Sequence, residues 1–174
     1  MLENNESLKL LYEYQFKHFD HAKAQSARLD DKASKYLTFA SVLIAILSII
    51  AKSYIVDSKD LDIWSFTTIV IAFIFISFIQ VSIVIRHLFM CIKISTVGKL
   101  SSDTDMQIYF KTNQVNKIYE GISEDLGVAI QSYETSNNDK VDQLILAYSH
   151  MAQLGYILIL LMSFIILDVI VKYV

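Results

Sequence analysis

Asp31-Lys32-Ala33-Ser34-Lys35-Tyr36-Leu37-Thr38-Phe39-Ala40 is the stretch in which a charged segment turns apolar. From Tyr36 to Ala51 every residue is apolar, serine or threonine, and with Lys52 snorkelling the run extends to Val56. About 20 residues, rising roughly 1.5 Å each, cross about 30 Å of hydrocarbon. Arg28, Asp30, Asp31, Lys32 and Lys35 then belong at the headgroups. Residues 36–56 therefore read as a first transmembrane helix, and 1–35 as a cytosolic helix that precedes it.

The rest of the chain repeats this logic. Asp57-Ser58-Lys59-Asp60-Leu61-Asp62 is short enough only for an antiparallel hairpin. A second span occupies 63–85, with Trp64 at the interfacial position tryptophan favours. A third occupies 152–172. Lysine and arginine crowd the N-terminal segment and the stretch after the second span, whereas the hairpin carries only Lys59 against three aspartates. This bias places the N-terminus and residues 86–150 in the cytoplasm and the C-terminus outside. The first apolar run begins too far into the chain for a cleavable signal, so the N-terminal segment is expected to stay.

Proline is absent, and glycine occurs only at Gly98, Gly121, Gly127 and Gly155, so long helices with few breaks are expected. Apolar residues reach 54% and charged residues only 19%, a balance tilted toward membrane. The fold class is an all-α integral membrane protein, three transmembrane helices with a small helical cytosolic bundle. A net charge of −3 gives no global basic field for nucleic acid.

In the N-terminal helix, with Asn4, Asn5 or Ser7 as its cap, Leu8, Tyr12, Gln15, Phe19, Ala22, Ser26, Leu29 and Ala33 recur at alternating spacings of four and three. The stripe packs either on neighbouring helices or between subunits. Arg86 to Leu100 continues the second span as a stalk, Ser101 to Asp105 starts another helix, and a break falls near Thr112 and Asn113. Val115, Ile118, Ile122, Leu126, Ala129 and Tyr133 form its apolar face. Glu134 to Asn138 reads as a turn before a last helix that enters the third span.

Polar residues within the spans are the candidates for contacts or a pore. Thr38, Ser41 and Ser48, with Ala45 and Lys52, share one face of the first span, where they either pack helices closely or line a polar path. Gln80 and Gln153 can satisfy one another. Asp168 stands four residues before Lys172, where a local ion pair competes with a functional role.

No phosphate loop, nucleophile elbow or cysteine-pair metal box is present, and no carboxylate pair stands out, so neither an enzyme nor a cofactor is indicated. His18 with His21, and His87 with the single Cys91, have helical spacing but lack further ligands, so no metal site is expected. A basic and aromatic set remains: Arg86, Lys93, Lys99, Tyr109, Phe110, Lys111, Lys117 and Tyr119. Cations beside rings suit a nucleotide, and they suit an anionic lipid surface equally.

Asp31-Lys32-Ala33-Ser34 followed by Leu37-Thr38 and an aliphatic span resembles the "D-x-K-A-x-x-L" signature of small membrane effectors in cyclic-nucleotide antiphage systems, above all the Pycsar transmembrane effectors. Ile108-Tyr109-Phe110 is similar to that family's middle patch, and Lys140, Leu144, Ala147 and Tyr148 resemble its last approach to the membrane. The resemblance implies a homo-oligomeric inner-membrane protein of antiviral defence. A partner cyclase would supply a cyclic mononucleotide, cyclic UMP or cyclic CMP, whose binding to the cytosolic helices disrupts the membrane in an abortive response. A membrane anchor that recruits a soluble partner and a holin-like toxin are the alternatives.

Overall fold

The computed structural model describes residues 2–56, 66–93 and 104–173, apart from the side chains of 2–5, 172 and 173. Four helices account for nearly all of them: α1 (Leu2–Ala51), which ends in a wider π-helical turn (Lys52–Val56), α2 (Phe66–Ile92), α3 (Thr104–Thr112) and α4 (Val115–Tyr173). Among the described residues there is no strand. Three of these helices are long and apolar enough to cross a membrane, with windows of mean hydropathy 2.2, 2.7 and 2.7 in chain order. The hairpin at 57–62, Trp64 and Lys99 lie outside the described residues.

Several expected boundaries are absent. The helix start expected at Asn4, Asn5 or Ser7 is absent, because α1 is already helical at Leu2 and runs without a break past Tyr36. The turn expected at 134–138 is helix. Its polar residues, which favour turns when they compete for the backbone, are used otherwise here. Thr135 Oγ1 donates to the Gln131 carbonyl at 3.0 Å, and buried Asn137 donates from Nδ2 to the carbonyl of Ala22 at 2.9 Å. The break near Thr112 does occur. Asn113 donates from both its backbone nitrogen, at 3.2 Å, and its Nδ2, at 3.0 Å, to the carbonyl of Tyr109, closing α3 before α4 begins. The stalk is helical to Ile92 and bends at Lys93, and 94–103 fall outside the described residues.

The chain divides into a polar unit (Met1–Asp30 with Lys93–Val141) and an apolar unit (Asp31–Ile92 with Asp142–Val174). In the polar unit, Leu8, Tyr12, Gln15, Phe19, Ala22, Ser26 and Leu29 are the buried or half-buried line of α1. Exposed charges flank that line, so the stripe is an intramolecular packing face. Phe19 meets Tyr133 edge-on with centroids 5.5 Å apart, and Tyr12 meets Tyr119 at 5.6 Å. On α4 the buried positions are Ser123, Leu126, Ala129, Asn137 and Lys140, whereas Val115, expected on this face, is 60% exposed.

Gly121 is where α3 comes close to α4. Tyr109 donates its hydroxyl proton to the Lys117 carbonyl at 2.7 Å, and a Cβ added at Gly121 would stand 2.7 Å from that hydroxyl oxygen. The ring is stiff, so it must swing away and forfeit the bond. Gly121→Ala is expected to destabilise the α3–α4 turn by about 1 kcal/mol, despite alanine's better helix propensity. Protease susceptibility of α3 measures this, and Gly121→Ala should cost little in a Tyr109→Ala background.

In the apolar unit two clusters each draw on α1, α2 and α4. One contains Ala40, Leu47, Val70, Ile74, Val81, Leu154 and Leu161; the other contains Ala33, Val84, Leu88, Cys91 and Ala147. Ala33, Ala40 and Leu47 repeat every seven residues, as do Ala147, Leu154 and Leu161, and Ile74, Val81 and Leu88. A seven-residue repeat keeps one seam facing its neighbours, and alanine in that seam lets backbones approach closely.

Candidate functional site

The polar side chains within this helix scaffold fall into three ties, an outward stripe and a scattered basic set. The first tie is in the polar unit. Lys140 is 7% exposed, and its Nζ donates to Ser26 Oγ at 2.9 Å and to Asp30 Oδ1 and Oδ2 at 2.7 and 2.8 Å. Three donors meet three acceptors, which is what allows an ammonium group to be buried. Ser26 and Lys140 stand 114 positions apart, and Phe19 with Tyr133 keeps that separation.

The sequence reading placed Asp30 only among the headgroup residues and missed its pairing with Lys140. Counted back from Lys32 and Ala33, the aspartate of a D-x-K-A pattern is Asp30, one position before the Asp31 assigned to it. Asp31 instead pairs on the surface with Lys35 at 2.6 Å, and Lys32 is exposed. Ala33 is fully buried in the apolar unit. The signal for Asp30 was its place one turn after Ser26, at the edge of the packing stripe.

The second tie joins α2 to α4 in the apolar unit. Gln80 and Gln153 do satisfy one another, Nε2 of the first donating to Oε1 of the second at 2.9 Å. His150, which the sequence did not single out, accepts from the same amide, and His87 bonds to Gln143 at 2.9 Å. The clue was heptad spacing: Gln80 and His87 are seven apart, as are Gln143 and His150. The third tie holds Asp168, which is 4% exposed. Thr67 on α2 donates to its Oδ1 at 2.9 Å, and Tyr54 in the π-helical turn donates its hydroxyl to the same carboxylate. Three helical segments thus meet on one carboxylate. The side chain of Lys172, the local partner expected for Asp168, lies outside the described residues.

Thr38, Ser41 and Ser48 are exposed, as are Ala45 and Lys52. Their hydroxyls donate to carbonyls one turn back, Ser34, Leu37 and Ile44 respectively, at 3.1, 2.9 and 2.7 Å. The stripe is therefore not the seam that packs α1 within the chain; Ala40 and Leu47 are. Its hydroxyls are satisfied within α1 and face outward.

The basic and aromatic set is on the surface. Arg86 on α2 and Lys93 at the bend are exposed, as are Phe110 and Lys111 on α3 and Lys117 on α4. Phe110 meets Tyr109 edge-on at 6.4 Å, and Tyr109 bonds to the carbonyl of Lys117. Tyr119 packs on Tyr12 inside the polar unit. Among the described residues no group of three His, Cys, Asp or Glu side chains is arranged to hold a metal ion. His18 lies 3.9 Å from Glu134.

No protein-family model matches the chain, and neither a curated protein nor a solved structure matches it. Chemically, the arrangement consists of hydrogen-bonded ties that hold helix to helix, with unbuilt, exposed cationic surface beside them.

Proposed function

We propose that the chain is a multi-pass inner-membrane effector of antiphage defence, with its N-terminus in the cytoplasm and its C-terminus outside. A cyclic mononucleotide, cyclic UMP or cyclic CMP, is sensed by the cytosolic helices, and an assembly of several copies then impairs membrane integrity to abort infection. No catalytic step and no cofactor are involved. The observation that carries this reading is the continuity of α1 and α4. Each passes from the polar unit into the apolar unit as unbroken helix, so a ligand that favours one packing of the polar unit bears directly on two membrane-crossing segments. The outward Thr38, Ser41 and Ser48 face supports a polar path formed between copies, because it is left over after α1 has packed within its own chain.

The test is dye release from liposomes holding the purified chain, before and after cyclic UMP, cyclic CMP or cyclic AMP. Leakage confined to one pyrimidine nucleotide is the expected result, and changing Lys93, Lys99, Lys111 and Lys117 together to Gln is expected to weaken that response at least about tenfold. Unchanged affinity in that variant would dismiss these residues as the binding set. A second reading, an anchor recruiting a soluble partner, is favoured by Leu10 and Tyr14, which are 65% and 66% exposed on α1. It predicts that Leu10→Ser with Tyr14→Ser abolishes recruitment while leaving the spans untouched.

A further inference from the structure

The amide nitrogen of Gln80 stands among three acceptors on α4: Gln153 Oε1 at 2.9 Å, His150 Nδ1 at 3.1 Å and the His150 carbonyl at 3.3 Å. An amide nitrogen only donates, and this fixes the partners. Turning the Gln80 amide over would set its oxygen against two other oxygens. His150 must then offer a lone pair at Nδ1, which makes it a neutral imidazole with its proton on Nε2. His87 is set the opposite way: its Nδ1 donates to Gln143 Oε1 at 2.9 Å. The two rings are stacked, with centroids 5.5 Å apart and planes within 10°.

We propose that Gln80, His150 and Gln153 form a proton-operated latch between α2 and α4, closed on neutral His150 and opened when His150 takes up a proton. The protonated ring carries N–H at both nitrogens, so Nδ1–H would face the N–H of Gln80, donor against donor. Rotating Gln80 relieves that clash but sets its oxygen against the His150 carbonyl and Gln153 Oε1, so both of those bonds are lost; either way the latch loses contacts. His87 keeps its bond to Gln143 in both charge states, but a proton there would place charge one stacking distance from His150.

Apart from the stacked His87 ring, which the His87→Gln variant below separates, the surrounding groups do not supply an alternative trigger. From α1 this level of the packing receives Ala33 and Leu37, while Asp31 and Lys35 pair with each other on the surface. From α2 come buried Cys91 and exposed Arg86; from α4 come exposed Asp142 and Tyr148. Imidazole is the side chain that changes charge between about pH 5 and 8. Lowering the pH therefore drives the latch toward its open form.

The test uses the full chain in lipid nanodiscs, with spin labels at Ser82→Cys on α2 and Ser149→Cys on α4 in a Cys91→Ala background. A longer α2–α4 distance population is expected to grow as pH is lowered from about 8 to about 5. His150→Gln should abolish that response, because an amide can present an acceptor at any pH, whereas His87→Gln should retain it. Gln80→Met should show the longer distance at every pH. An invariant distance in the parent chain overturns the proposal. So does a pH response that survives His150→Gln, or a Gln80→Met chain that inserts normally and keeps the short distance. The readout is a distance without nucleotide or leakage, so it stands or fails apart from the effector reading.

Discussion

Asp30→Ala is expected to lower the stability of the polar unit by about 3 kcal/mol. Removing the carboxylate leaves Lys140 Nζ with Ser26 alone, on a side chain that is 9% exposed. The cost is the desolvation of an uncompensated cation, softened because the Asp30 side chain is 40% exposed and water can enter once it is gone. Lys140→Met paired with Asp30→Leu should recover most of the loss, since no charge then remains to be buried. Limited proteolysis and thermal unfolding in detergent check both. An Asp31→Ala chain is the control, expected within about 0.5 kcal/mol of the parent because its pair with Lys35 is on the surface.

The second large effect is expected from a break in α4. Asp142 is exposed where α4 passes from the polar to the apolar unit, so its replacement disturbs no packing. Asp142→Pro removes one backbone hydrogen bond and clashes with the preceding turn, at a cost of about 3 kcal/mol, and kinks the helix there. On the proposed effector reading, nucleotide-triggered leakage should fall to background, while membrane insertion and nucleotide binding persist. Asp142→Ala should behave as the parent. Leakage that survives the proline with full amplitude would mean that α4 does not carry the signal, and would shift attention to α1 or to the segment after α2.

The helical class and the three apolar segments were legible in the sequence because they rest on composition and on the absence of proline, neither of which tertiary contacts can override. The α1 stripe was legible for a similar reason: alternating spacings of four and three mark one face whatever that face meets. Asn137 and Lys140 were not, because each reads locally as a turn or surface residue and becomes a core residue only when the partner helix offers Ala22 O, Ser26 and Asp30. The Gln80–Gln153 pair could be guessed as two lone polar groups at one depth. The stacked imidazoles were harder to find, since the heptad spacing of Gln80 with His87 and Gln143 with His150 marks a shared face but not which ring meets which. The basic and aromatic set came from residue chemistry alone, and the structure leaves its described cations, Arg86, Lys93, Lys111 and Lys117, as exposed side chains.

The separation of 114 positions between Ser26 and Lys140, shared by Tyr54 and Asp168, also sets the order of events during synthesis. Helix α1 leaves the ribosome long before α4, so its alanine seam and Asp30 lack their α4 partners until α4 is translated. Contacts this distant in sequence form late and slowly. A growing chain therefore lacks the Ser26–Asp30–Lys140 and Tyr54–Asp168 ties until α4 has been made.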